Sequence, residues 1–190
     1  IVLPEPGFLA GVRELCDIHG TLLLIDETHT ISAGPGGCTQ AWDLRPDIVV
    51  VGKAIGGGVP SGAYGLTAEI ADRVLASEAA DIVDVGGVGG TLAGNALSTA
   101  AMRATLDEVL TTTAFDHMTA LGAAFAEGVG QVLLDADLPW TVSRLGARAE
   151  YRFAYPAPRT GTAAAAAHDG ELEEYLHLYL SNRDVLMTPF

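Results

Sequence analysis

The sequence predicts an α/β fold in which a mostly parallel sheet is flanked by helices and followed by a smaller α+β lobe. Two short, wholly apolar runs carry the first half of that expectation, Leu22-Leu23-Leu24-Ile25 and Ile48-Val49-Val50-Val51. Runs of this length without polar alternation read as strands covered on both faces, the condition of a parallel sheet. The third observation is a helical period just before the first run. Phe8, Leu9, Val12, Leu15 and Cys16 recur on one face up to Ile18-His19-Gly20, where glycine is a natural helix stop.

The remaining elements follow in order. Pro4-Glu5-Pro6-Gly7 opens a loop, and Ile31 to Leu44, with Gly34, Pro35, Gly36 and Gly37, reads as a loop in which Trp42 is a core plug, the commoner outcome, or a pocket wall. Gly56-Gly57-Gly58 provides a backbone that can approach a ligand closely. Ala63 to Leu66 predicts a short strand and Ala68 to Ser77 a helix, while Asp81 to Thr91 is glycine-rich and irregular. Asn95 to Leu110 predicts an amphipathic helix with Leu97, Ala101, Ala104, Leu106 and Leu110 available to a core, and Phe115 to Leu134 another. They lead into the second lobe, so residues 1–112 and 113–190 are expected to be separate domains. Trp140 to Tyr155 alternates like a strand pair, with Arg148, Glu150 and Arg152 opposite Ala149, Tyr151 and Phe153. Arg144, Arg148 and Arg152 are read as solvent-facing rather than as ligands for a substrate carboxylate. Pro156 to Thr162 breaks the pair, Ala163 to Leu180 is helical, and Val185-Leu186-Met187 is a final strand.

Composition narrows the function classes. The chain has 190 residues, 49% of them apolar, enough for a real core. A formal charge of −14 argues against nucleic acid, whose phosphates such a surface repels. Cys16 and Cys38 lack the spacing of a zinc site or a disulfide scaffold, which fits a cytoplasmic protein. The longest uncharged stretch, Val85 to Met102, carries five glycines and several hydroxyls, so no membrane span is expected.

The chemistry is expected beyond the carboxyl ends of the two apolar strands, where parallel sheets place their ligands. The first run ends in Asp26; the second ends in Gly52 followed by Lys53, the only lysine in the chain. An amine in such a crevice can form an imine when its surroundings favour the neutral form, and a facing carboxylate suits a protonated ring nitrogen. Pyridoxal 5'-phosphate offers the aldehyde, the nitrogen and a phosphate together. The plainer alternative is a solvated lysine after a strand and an aspartate capping a loop. Neither usual phosphate-loop motif is present, since Asp47 and Ala54 stand where a Walker loop needs Gly and Ser or Thr.

Asp26-Glu27-Thr28-His29-Thr30, the stretch Pro46 to Gly65 around Lys53, and Gly90-Thr91-Leu92-Ala93-Gly94-Asn95 resemble the core of class III pyridoxal-phosphate aminotransferases. The resemblance is closest to the glutamate-1-semialdehyde 2,1-aminomutase branch and runs from Ile1 to about Leu110, more weakly to Phe190. It implies the type I fold of these enzymes, with the chain an internal fragment: the second half of the large cofactor-binding domain and part of the small one. It also implies roles. Lys53 would carry the cofactor as an imine and shuttle a proton, and Asp26 would keep the pyridine nitrogen protonated. Thr28 stands where the family usually has an apolar side chain on the ring face, and His29 where it has a polar or sulfur-bearing residue near the phenolic oxygen. Thr28 would pack through its methyl, and His29 would hydrogen-bond that oxygen.

Gly90 and Thr91 would reach the phosphate of a neighbouring subunit's cofactor, which requires a homodimer with shared active sites; helix capping by Thr91 or Asn95 is compatible with that. The substrates would be a small amino acid or amine and a keto or aldehyde compound. Transamination and aminomutation share every residue named here. A non-catalytic relative and a nucleotide-binding α/β domain are the rival classes.

Overall fold

Three strands, β1 (Leu24–Asp26), β2 (Ile48–Gly52) and β3 (Gly62–Leu66), form one sheet in the order β1-β2-β3. The computed structural model describes residues 1–77, 89–90 and 92–188. β1 and β2 run parallel, with Asp26 opposite Val50. β3 returns antiparallel, with Gly52 opposite Gly62, because the link from Lys53 to Ser61 is shorter than the dozen or so residues that a parallel crossover needs.

β1 is shorter than the apolar run that predicted it. Leu23 precedes it, with its carbonyl accepting from the N–H groups of Asp47 and Ile48 and its own N–H donating to Asp47 Oδ2 at 2.7 Å. Helix α1 (Phe8–His19) ends where expected, at Gly20 in the left-handed region. Arg13 on α1 pairs with Asp17 at 2.6 Å and with Asp47 at 2.8 Å, which ties the helix to the segment that starts β2. The apolar period of α1 is only partly covered: Leu9, Val12 and Cys16 are half-buried, while Phe8, Leu15 and Ile18 are exposed.

The segment expected to be a loop, Ile31 to Leu44, is more ordered than its glycines suggest. It contains a 3-10 turn, Thr30–Ala33, and a short helix α2 (Gly37–Ala41). Trp42 is exposed, not the expected core plug. After β3, α3 (Ala68–Leu75) is capped by the Thr67 hydroxyl, which accepts from Ile70 N–H. The helix predicted over Asn95 to Leu110 is α4 (Ala96–Ala104) followed by a π-helical turn, Thr105–Val109. Asn95 caps α4 by accepting from Ser98 N–H at 2.9 Å, one of the two caps foreseen. Helix α5 (Thr112–Asp135) extends the predicted second helix by a few residues at its start.

The C-terminal part carries a hairpin of β4 (Thr141–Leu145) and β5 (Arg148–Arg152), turning at Gly146 with φ +58°. Trp140, Tyr151 and Phe153 cluster, Trp140 meeting Phe153 edge-on at 4.7 Å between ring centroids. On the opposite face Arg144 is exposed as expected while Arg148 and Arg152 are half-buried, and between them Glu150 is 1% exposed and accepts from Arg152 at 2.8 Å. A charge can be buried there because it is paired. The long helix predicted over Ala163 to Leu180 is two, α6 (Gly161–Ala166) and α7 (Gly170–Ser181), since Asp169 leaves helical geometry to cap α7 by accepting from Leu172 N–H. No strand forms at Val185 to Met187. Val185 N–H instead closes onto Leu180 O, and Met187 O meets His177 Nδ1 at 2.8 Å.

By internal contact the chain divides into two units. One comprises Glu5–Ala123 with Leu145–Arg148; the other comprises Ile1–Pro4, Ala124–Arg144 and Ala149–Phe190. The first buries Cys38, Ile55, Ile70 and Phe115, and the second buries Leu133.

Candidate active site at the ends of β1 and β2

Alternation along a strand sends neighbouring side chains to opposite faces, and it separates the two acids that end β1. Asp26 is exposed, whereas Glu27 is 2% exposed. Asp26 Oδ1 accepts from Thr28 N–H at 2.8 Å. The Thr28 hydroxyl and then its N–H hold the Asp26 carboxyl below its ordinary range against the opposing effect of burial, with lesser help from the neighbouring His29 and Lys53. Asp26 is therefore an anion at neutral pH, beside the basic groups expected to share its site.

Lys53 follows β2 directly and turns the chain into a 3-10 segment, Lys53–Gly56. Its φ is +48°, in the left-handed region that side chains other than glycine's seldom adopt. Such strain collects at functional sites and costs on the order of 1 kcal/mol or more. From this corner Lys53 Nζ reaches His29 Nε2 at 2.5 Å. Asp26, His29 and Lys53 thus come together, and Thr28 completes the set by binding Asp26 and lying beside Gly52.

The turn after Lys53 is held against α4. Ser98 Oγ donates to Pro60 O at 2.9 Å, and a Cβ added to Gly57, whose φ is +58°, would stand 2.6 Å from Thr105 Oγ1. Gly57 is thus required by a close approach as well as by its conformation. Gly58, φ +99°, faces open space. Gly90 has φ +77°. Thr91, the other expected phosphate contact, lies outside the described residues.

Sequence reasoning missed Glu27. Its carboxylate accepts from Cys38 N–H at 3.1 Å, from Thr39 N–H at 2.5 Å, from the Thr39 hydroxyl at 2.6 Å and from the Thr30 hydroxyl. Burial pushes this carboxyl upward, but the Thr30, Thr39 and Cys38 donors outweigh it, so the group stays ionised. The signal was available: in an Asp-Glu pair ending a buried strand, one acid must point inward and needs donors. Gly37, φ +60°, makes room for it, since a Cβ there would lie 2.5 Å from Glu27 Oε2. Cys38 beside it has its thiol pushed up to about 11, by burial first and then by the Glu27 charge.

The donor set fits pyridoxal phosphate on its own chemistry. An ionised carboxylate and a primary amine stand at neighbouring strand ends, with open backbone beyond them. Among the described residues no group of three His, Cys, Asp or Glu side chains could hold a metal ion, and no helix is long and apolar enough to cross a membrane.

Comparison with known proteins agrees with the resemblance carried by the motifs. The family model described as aminotransferase class-III matches residues 1–170. Glutamate-1-semialdehyde 2,1-aminomutase of Anaeromyxobacter dehalogenans is 35% identical over 183 residues, which are 96% of this chain and 41% of the relative. The crystal structure of a glutamate-1-semialdehyde-aminomutase from Pseudomonas aeruginosa PAO1 superposes with a TM-score of 0.92 at 50% identity, over 99% of this chain and 42% of that one. A variant of that aminomutase has been solved in complex with PMP. A β-phenylalanine aminotransferase from Variovorax paradoxus gives a TM-score of 0.85 at 27% identity, again over 99% and 42%. The chain spans about two-fifths of the length of these relatives. With the family model matching most of its residues and the type I fold shared, the chain belongs to the class III aminotransferases.

Proposed function

We propose that the whole protein is a pyridoxal-phosphate enzyme that moves an amino group, as an aminotransferase or a 2,1-aminomutase of the glutamate-1-semialdehyde type. The observation that carries this is the convergence of Asp26, held ionised, with His29 and Lys53 at the ends of two adjacent parallel strands. The bound cofactor supplies an electron sink for the substrate's carbon and a carbonyl that takes up and releases the amino group.

This chain's residues then divide the work. Lys53 holds the cofactor covalently and, once released from it, moves a proton at the substrate carbon. Asp26 keeps a proton on the ring nitrogen through its negative charge. Thr28 orients that carboxylate through its N–H and would pack its methyl against the bound cofactor, and His29 would offer a hydrogen bond to the cofactor's phenolic oxygen. Gly90 and Thr91 bind the phosphate held by a second copy of the protein, so the active form is a homodimer with shared sites. Residues 1–112 belong to the cofactor-binding domain and 113–190 to the smaller one. The substrates are a small amino acid or amine and a keto or aldehyde compound. With a buried thiol at Cys38 and no disulfide between the two cysteines, the protein is read as cytoplasmic.

The test is borohydride reduction of the full-length protein loaded with pyridoxal phosphate, followed by peptide mapping. A reduced adduct on Lys53 is expected; an adduct on another residue overturns the assignment. Glutamate-1-semialdehyde given alone separates the two activities, because 5-aminolevulinate formed without an added amino acceptor means aminomutase.

A further inference from the structure

The 2.5 Å contact between Lys53 Nζ and His29 Nε2 leaves His29 with more to do than touch the cofactor. At that separation one nitrogen donates and the other accepts, so the two share a single hydrogen along their common axis. Each partner is positioned by its own backbone. Lys53 projects from the left-handed corner that ends β2. His29 precedes the 3-10 turn Thr30–Ala33, where its carbonyl accepts from Ser32 Oγ at 3.1 Å and the next residue, Thr30, is fixed to Glu27. Both side chains thus leave ordered backbone close to one another. Asp26, held as an anion by Thr28, is electrostatically coupled to both.

We infer that His29 is the proton partner of the Lys53 amine. In the forward step one proton passes from the Lys53 ammonium to His29 Nε2, leaving a neutral amine with a free lone pair and an imidazolium. In the reverse step the same proton returns to Lys53. Histidine suits this exchange because both of its forms are accessible near neutral pH. The inference rests on the reading of Lys53 as the cofactor-bearing amine, but it concerns the chain's own residues and is measurable without cofactor.

The experiment uses cofactor-free full-length protein, wild type and the variants His29→Ala, His29→Asn and His29→Gln. Acetic anhydride is applied at neutral pH, and acetylation of the Lys53 peptide is followed by mass spectrometry. Slowing of about tenfold is expected in all three variants, less than the roughly hundredfold a base can contribute to its natural reaction. An unchanged rate overturns the proposal. So does a native rate in the Asn or Gln variant, because an amide can hold the amine in place but cannot take its proton. Should the variants fail to fold, the pH dependence of Lys53 acetylation in wild type replaces them: an inflection in the histidine range supports the proposal, and a rise governed by the amine alone overturns it. The functional reading fails separately. Slowed acetylation without cofactor attachment to Lys53 sinks that reading and leaves the pair, whereas attachment with unslowed acetylation sinks the pair alone.

Discussion

Glu27 and Thr39, twelve residues apart, are joined twice: the Glu27 carboxylate accepts from the Thr39 backbone N–H at 2.5 Å and from its hydroxyl at 2.6 Å. The residues between them are folded around that buried anion, next to Asp26. Glu27→Ala strands the Cys38 and Thr39 N–H groups without acceptors and is expected to cost on the order of 3 kcal/mol of stability. Gly37→Ala attacks the same arrangement from outside, because its Cβ would meet a carboxylate that cannot move away. Denaturant melts of the full-length protein should show both losses, and a melt unchanged by Gly37→Ala would contradict the close approach.

Asp26→Asn tests charge apart from shape. The amide oxygen can still accept from Thr28 N–H, so stability should change little. The negative charge expected to hold a proton on the cofactor is gone, and turnover should fall by about 10²–10³-fold, the scale of removing one preorganised electrostatic contact. Wild-type turnover in a folded variant would remove Asp26 from the mechanism.

Acid should weaken the tie between α1 and the start of β2. Asp47 is held below its ordinary range, by the Arg13 hydrogen bond first and then by the Leu23 N–H. A carboxyl depressed in the folded state contributes stability that is full above its unfolded value, about 3.9, and is lost as pH falls through the folded one. Stability measured in urea is therefore expected to decline below about pH 4, and Arg13→Met should flatten that decline. An unaltered profile in the variant would show that the pair does not matter to acid stability.

Cys38 should resist alkylation. It is 3% exposed, its thiol is pushed up to about 11, and the thiolate is the reactive form. Iodoacetamide at mildly alkaline pH is expected to leave Cys38 unmodified in folded protein and to label it in denaturant, read by peptide mass. Labelling in the folded state would mean that the Glu27 cage opens.

The apolar runs disclosed β1, β2 and the strand ends at which Asp26 and Lys53 stand, although the full burial that such runs suggested is not met, since Leu22 and Leu24 are exposed and Ile48 to Val51 are half-buried. The motifs around them disclosed the family. What stayed hidden depends on tertiary partners. Gly34, Pro35, Gly36 and Gly37 read as a loop, yet Glu27 supplies an acceptor that stabilises a turn and a short helix there. The Arg148-Glu150-Arg152 alternation read as a wet face because period alone does not tell which side of a hairpin is covered. The break between α6 and α7 was legible in Asp169-Gly170, a cap followed by a poor helix former, but the alanine run outweighed it.

Of the three strands in the described sheet, β2 alone is flanked on both sides. The amine at its end is thus rooted in the best-paired strand of that sheet. Heat should silence such a protein by loosening its periphery while the anchorage beneath the nucleophile persists, and the amides of Val49 to Val51 should be among the slowest to trade their hydrogens with solvent.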